Sequence, residues 1–188
     1  TLSETMEVFD SGRVLQVGPR DEVLHRPASR AVARFTATKN IFRGRVESNR
    51  PDRLEIRAGN AFVVTKPGPH AVGETVDFCI RPEDVMLVRP ERAVGEQVKE
   101  NQYPGSIVGE IARGTSFTLQ VELDGDPLQS GRDFDLHVDI PANVYYRLGL
   151  DESKQWLVSL KRQAIHVIGR VQERQRGGAG LRRHRLLH

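Results

Sequence analysis

Six histidines, one cysteine and a few carboxylate pairs are the groups in this chain with reactive potential, and their spacing speaks against most reactions. His25, His70, His137, His166, His184 and His188 are scattered. No two sit at ligand spacing in one β-element and none has a cysteine beside it, so surface or strand histidines are expected, not a metal centre. Cys79 lies inside the apolar run Val76–Ile80, where a thiol stays protonated and packs as a small hydrophobe. Ser159 sits in a similar run and lacks a base in the same way. Glu83 and Asp84 follow Arg81-Pro82, and adjacent carboxylates there are expected to satisfy Arg81 and turn amides instead of forming an acid–base pair. No Gly-x-x-x-x-Gly-Lys-Ser/Thr loop is present to cradle phosphates, and no apolar strand ends in Asp-Glu to position magnesium. No catalytic residue, metal or cofactor is expected, and the chain is not expected to be an enzyme by itself.

The elements that would carry these groups are organised by a repeat. Residues 76–88 (VDFCIRPEDVMLV) and 156–168 (WLVSLKRQAIHVI) align without a gap at an offset of 80. Each has an apolar run, a basic step at Arg81 or at Lys161 and Arg162, and a second short apolar run. Each is preceded by Asn and Gly four apart, at Asn40 and Gly44 and again at Asn101 and Gly105. A duplication of this kind defines the folding unit. Strands are predicted at 42–47, 53–57, 61–65, 75–80 and 84–88, then at 105–112, 116–123, 134–139 and 156–161, with a short helix over 141–149. Short strands at this spacing, separated by turn signals, point to small barrels. Ahead of them, Asp10-Ser11-Gly12 joins two short strands into a hairpin. A helix follows that must stop before Pro27, and Ser29 caps a second.

With 188 residues, 38% of them hydrophobic and 28% charged, the composition is ordinary for one large or two small globular domains. No run of 18 apolar residues is present. The net charge of +3 is misleading, because residues 170–188 hold six arginines against Glu173 and so carry +5, leaving −2 on the rest. A body of that charge has no electrostatic footprint for nucleic acid. The Gly-rich tail lacks periodicity and is expected to be disordered. The chain opens at Thr1 in mid-element, which suggests a fragment of a longer protein.

Taken in order, these segments resemble a known family. Residues 12–19 (GRVLQVGP), with Glu22-Val23-Leu24 and Arg26-Pro27-Ala28, resemble the final hairpin and helices of an ABC transporter ATPase subunit. Val32-Ala33-Arg34-Phe35 and Asn40 extend the likeness into the junction with an accessory domain. Arg81, Pro82, Glu83 and Asp84 are similar to the signature of the TOBE domain, an OB-like barrel that follows the ATPase core in importers. The second unit resembles TOBE and Mop-like molybdate-binding modules. The likeness spans roughly residues 6–168. The phosphate loop and the Ser-Gly-Gly signature are missing, and Leu2-Ser3-Glu4 does not replace the latter.

The resemblance implies a mainly β fold of tandem OB-fold/TOBE-like barrels preceded by a hairpin and two short helices. The expected divisions are 1–38 as the end of an ATPase core, 39–92 and 98–169 as barrel units, and 170–188 as the basic tail. It implies a regulatory, dimer-forming part of an importer's ATP-binding subunit, cytoplasmic and peripheral to the membrane. Its partners would be a permease, an ATPase core and a second copy, with an inorganic anion (molybdate, tungstate or sulfate) or another small ion as solute. Lys161 matches the family's lysine after the last long strand, and Ser106, Thr115 and Ser116 are candidate hydroxyl donors to an oxyanion. Lys99-Glu100-Asn101 departs from the usual Ser-Ala-Arg-Asn and would bring a carboxylate near the anion. Two alternatives remain open: a stand-alone molbindin-like oxyanion-binding protein, and an OB-type nucleic-acid binder. The last needs exposed aromatics beside a basic groove, and only eleven aromatics exist in the chain.

Overall fold

The structure is a computed structural model that describes residues 5–89, 100–129, 131 and 133–169. The expected basic tail, and most of the stretch expected to link the two units, lie outside the described residues.

Strands β1 (Thr5–Asp10) and β2 (Arg13–Pro19) form the N-terminal hairpin, followed by helices α1 (Arg20–His25) and α2 (Arg30–Phe35). Ser29 caps α2 by accepting from the Val32 amide at 3.2 Å. Val8, Val23 and Val32 build a small separate core beneath the hairpin, flanked by Met6 and Leu15. Alternation, shifted by a bulge opposite Val8 and Phe9 that leaves Leu15 as the extra residue, splits the hairpin's apolar residues. Val8 and Leu15 face inward, while Phe9, Val14 and Val17 lie on the other face, each more than half exposed. The Gln16 carboxamide ties the hairpin to the turn after α1: it donates to the Arg26 carbonyl (3.1 Å) and accepts from the Ala28 amide (2.8 Å).

The rest is mainly β, as the repeat predicts. One five-stranded sheet contains β3 (Asn40–Asn49), β4 (Leu54–Ala58), β5 (Ala61–Thr65) and β6 (Thr75–Ile80). The other contains β7 (Val85–Val88), β8 (Gln102–Ala112), β9 (Ser116–Leu123), β10 (Leu136–Pro141) and β11 (Gln155–Leu160). The short α3 (Ala142–Leu148) links β10 to β11, and β12 (His166–Ile168) closes the chain. The strand orders are β12-β6-β3-β4-β5 and β10-β9-β8-β11-β7. The two halves thus exchange their last strands. β7 leaves the first half to pair with β11, and β12 returns from the second half to pair with β6.

The exchange is symmetric to the residue. Met86 lies opposite Ser159 and Leu87 opposite Val158; adding 80 to one side of each pair and subtracting it from the other gives His166 opposite Cys79 and Val167 opposite Phe78, as found. The turns between the strands match as well. The Asp84 amide donates to the Arg81 carbonyl at 3.0 Å, and the Ala164 amide to the Lys161 carbonyl at 2.9 Å. Cys79 is buried, and loss of hydration pushes its thiol up to about 12, so it stays protonated.

The repeated Asn and Gly each have a physical reason. The Asn40 carboxamide donates to the His137 carbonyl and accepts from the His137 amide, both at 2.8 Å. The Asn101 carboxamide does the same at Val64, both at 2.7 Å, and also donates to the Leu160 carbonyl at 3.2 Å. Each asparagine mimics a strand residue and satisfies the outer strand of the opposite half. Gly44 and Gly105 are crossing points. A Cβ on Gly44 would lie 2.7 Å from the Arg57 carbonyl oxygen, and one on Gly105 2.6 Å from that of Glu122. The apolar faces of both sheets share one core, in which Phe42, Ile56 and Phe78 join Leu119, Val138 and Trp156.

Asn101→Ala strands buried backbone groups at Val64, so it should cost about 2–4 kcal/mol in chemical denaturation. Asn40→Ala should cost a similar amount through His137. A loss below about 0.5 kcal/mol for both, the scale of ordinary surface substitutions, would show that the clamps do not hold the halves together.

Candidate functional site

A groove of about 530 Å³ opens where the N-terminal segment meets both halves. Its walls are His25 and Arg26 at the end of α1, the loop Lys66–His70, the turn holding Arg81 and Asp84, and Gln163–Val167 from the second half. Arg26, Lys66 and Arg81 face it against the single carboxylate of Asp84. Arg81 is anchored twice, by an ion pair with Glu83 and by donation to the Leu24 carbonyl at 3.3 Å, which joins the turn to α1. Pro82 is buried and starts the 3-10 turn Pro82–Asp84.

The three histidines of the groove are held by local bonds. His166 Nε2 donates to the Pro27 carbonyl at 3.0 Å, and His25 Nδ1 donates to the Asp21 carbonyl at 2.9 Å. His70 Nδ1 lies 3.3 Å from Glu74. Burial lowers the proton affinity of His166; the bond to Pro27 opposes this, and the nearby charges of Arg26 and His70 add to the lowering. Thr65, the only lining hydroxyl residue, is buried and donates to the Ile165 carbonyl at 3.3 Å. The lining therefore offers cationic and N–H donors and no activated nucleophile. Such donors match the charge of an anion. Among the described residues no cluster of His, Cys, Asp or Glu could hold a metal ion.

The residues singled out from the sequence are distributed differently. Arg81 and Asp84 line the groove, Pro82 supports it and Glu83 pairs with Arg81. Lys161, the repeat partner of Arg81, is exposed and lies outside the lining. Ser106 accepts from Gln155 at 2.7 Å in the middle of the second sheet. Thr115 and Ser116 sit at the β8–β9 turn, where their carbonyls accept from Ala142 and Arg113. Lys161 follows the end of β11 that is paired with Gln102, whereas Thr115 lies beyond Ala112 at the other end of β8. That separation is roughly 30 Å at the rise of an extended strand, so one chain does not bring Lys161 and Thr115 together. Glu100 is held by Arg53 at 3.1 Å and lies 3.8 Å from Arg162.

Sequence reasoning assigned no site role to Arg26, Lys66 or the histidines, because they come from three distant segments. The usable signal was the turn Arg81–Asp84. The cavity forms beside Arg81 because α1 packs against that copy of the turn.

No protein-family model matches the chain. The spermidine/putrescine import ATP-binding protein PotA of Marinobacter nauticus is 28% identical over 173 residues, covering 88% of this chain and 44% of the relative. The molybdate/tungstate import ATP-binding protein WtpC of Pyrococcus abyssi is 28% identical over 170 residues, covering 89% and 43%. PotA of Rubrobacter xylanophilus reaches 33% over 118 residues, covering 60% and 31%. The chain spans less than half the length of these curated relatives. Its homologues are ATP-binding subunits of ABC importers, as the sequence resemblance implies. Among solved structures, the cytoplasmic molybdate-binding protein ModG, with molybdate bound, superposes with a TM-score of 0.59 at 12% identity. The match covers 71% of this chain and 98% of ModG, and at that identity it establishes the tandem OB-like fold alone.

The lowered proton affinity of His166 has a definite sign for stability. The unfolded chain takes up this proton near the ordinary value of 6.5, while the folded chain resists it until lower pH. The contribution of His166 is therefore full above about pH 6.5 and is lost as pH falls through its lower folded value. Unfolding free energies from pH 8 to 5 should decline through this window, and His166→Gln should flatten the decline. An identical slope in the variant would assign the effect to other groups.

Proposed function

We propose that this chain is the regulatory, dimer-forming part of an ABC importer's ATP-binding subunit, working at the cytoplasmic face of the membrane with an ATPase core and a permease. The groove is its sensing site, and an inorganic oxyanion such as molybdate, tungstate or sulfate is its ligand. The observation that carries this reading is the groove's composition: Arg26, Lys66 and Arg81 against Asp84, drawn from three separate segments. An anion held there would bridge α1 to both barrel halves, and the path to anything preceding α1 runs through that helix. Among the described residues no helix is long and apolar enough to cross a membrane. A stand-alone oxyanion-binding protein is the second reading, supported by the match to nearly the whole of ModG. Expression from the native locus separates the two: the first requires a product longer than 188 residues that carries a phosphate loop.

Calorimetry with molybdate, tungstate and sulfate should show saturable binding of at least one anion, weakened about tenfold or more by Arg81→Ala with Lys66→Ala, a change of roughly 1.4 kcal/mol. No binding of any of the three at millimolar concentration would refute the anion assignment. The chain alone should not hydrolyse ATP. Magnesium-dependent turnover abolished by a substitution in this chain would overturn that.

Self-association is expected through the exposed face of Phe9, Val14 and Val17 or through the barrels. Sedimentation at micromolar concentration should show a dimer. Phe9→Asp with Val17→Asp should weaken it if the hairpin contributes, and a clean monomer of the unaltered chain at high concentration would exclude it.

A further inference from the structure

A second cavity, of about 490 Å³, lies between α2, the turn that follows it and β10. It shares no lining residue with the groove. Its lining holds three cations, Arg30, Arg34 and Lys39, together with Thr38, Ile41 and the imidazole of His137, and no carboxylate. We propose that this cavity is a separate binding site for a phosphate-type oxyanion, held chiefly by the Arg30 and Arg34 guanidiniums.

The walls are fixed before any ligand arrives. Arg30 is held by Asp77, 3.0 Å away and largely buried, and the same oxygen also takes Arg43 at 3.0 Å. One carboxylate shared by two guanidiniums leaves positive charge uncompensated on this face. Arg43's hold on its proton is strengthened by the hydrogen bond it donates to Asp77 and by the attraction of that carboxylate. Arg34 is exposed and has no carboxylate within salt-bridge distance among the described residues. The opposite wall is locked by the Asn40 carboxamide on both backbone groups of His137 at 2.8 Å.

The end of α2 does not oppose an anion. Its last carbonyls are already occupied: Val32 accepts from the Thr36 amide (2.9 Å), Ala33 from Thr38 (3.0 Å) and Arg34 from Ala37 (3.3 Å). The turn takes Ala37 to φ 58°, a left-handed conformation that a side chain other than glycine adopts at a cost. It carries Arg34, Thr38 and Lys39 to the cavity. Thr38 is 3% exposed, and its hydroxyl has no hydrogen-bond partner among the described residues, an unusual state for a buried donor. Two guanidiniums and the unpartnered Thr38 hydroxyl match the charge and the multiple acceptor oxygens of a phosphate dianion or a phosphomonoester.

The test titrates the full chain with inorganic phosphate and, separately, with adenosine monophosphate at fixed ionic strength, read by calorimetry and by phosphorus NMR. Saturable binding at millimolar concentration or tighter, weakened at least tenfold by Arg34→Ala with Lys39→Ala, is the expected result. Tighter binding of the nucleotide would assign the site to a phosphomonoester, and equal binding to the free ion. Arg34→Glu should reduce binding further than Arg34→Ala, while Arg81→Ala should leave it unchanged. Both cavity residues are exposed, so the variants should retain the circular dichroism of the parent. Absence of saturable binding up to 10-fold above the millimolar range, or binding indifferent to Arg34 and Lys39, overturns the proposal. Loss of binding in Arg81→Ala alone would return the anion to the groove.

Discussion

The reciprocal exchange of β7 and β12 is the constraint on which the rest of the molecule depends. Each half lacks its outermost strand until the other supplies it, so neither sheet is complete alone. The cost is kinetic as well as thermodynamic, since pairs such as Asn40 with His137 are 97 residues apart and loop closure must precede their reward. Asparagine suits the two joints because its carboxamide has the donors and acceptor of a peptide unit without belonging to the ladder. It can therefore satisfy both backbone groups of an outer strand at a place where no further strand fits. Such an edge, left open, would invite pairing with other chains.

The duplication is symmetric but its use is not. Arg81 and Lys161 occupy equivalent turns, and their closing hydrogen bonds are nearly the same length. Only the first turn meets α1, through the bond from Arg81 to the Leu24 carbonyl, and only there does the groove form. Lys161 remains on the surface. An appended element of six residues thus differentiates two halves that pairing alone would leave alike.

The barrel architecture was legible in the sequence because the repeat, the strand alternation and the turn residues agreed with one another. The offset of 80 even contains the exchange, since it places Met86 and His166 at equivalent positions, but a linear pattern does not say which sheet a terminal strand joins. Either β6 or β11 could have received β7 in the alternation; tertiary pairing chose β11. The site was less legible for a related reason. Arg81 announced itself through Arg81-Pro82-Glu83-Asp84, whereas Arg26, Lys66 and His166 are ordinary residues until three segments converge. Ser106 and Thr115 were attractive by type, yet they sit along β8 and beyond its end, too far apart for one ligand. The hairpin's apolar residues were legible as a set but not as two faces, because Val8 and Leu15 find a small core with α1 and α2 that a count of hydrophobic positions does not reveal.

The body's small negative charge and its basic cavities are not in conflict. Exposed charges more than about 8 Å apart are largely screened at physiological ionic strength, so an anion responds to the groove and not to the total. What decides regulation is a difference between states, because a ligand shifts an equilibrium only by its unequal affinity for the two conformations. A groove confined to one barrel would bind equally well whatever α1 did. This one takes His25 and Arg26 from α1, and Arg81 is fastened to the Leu24 carbonyl. Any displacement of α1 would remove part of the lining and weaken the anion's hold. By reciprocity a bound anion would restrain α1 with the same free energy, which is the physical content of the sensing role proposed for the groove.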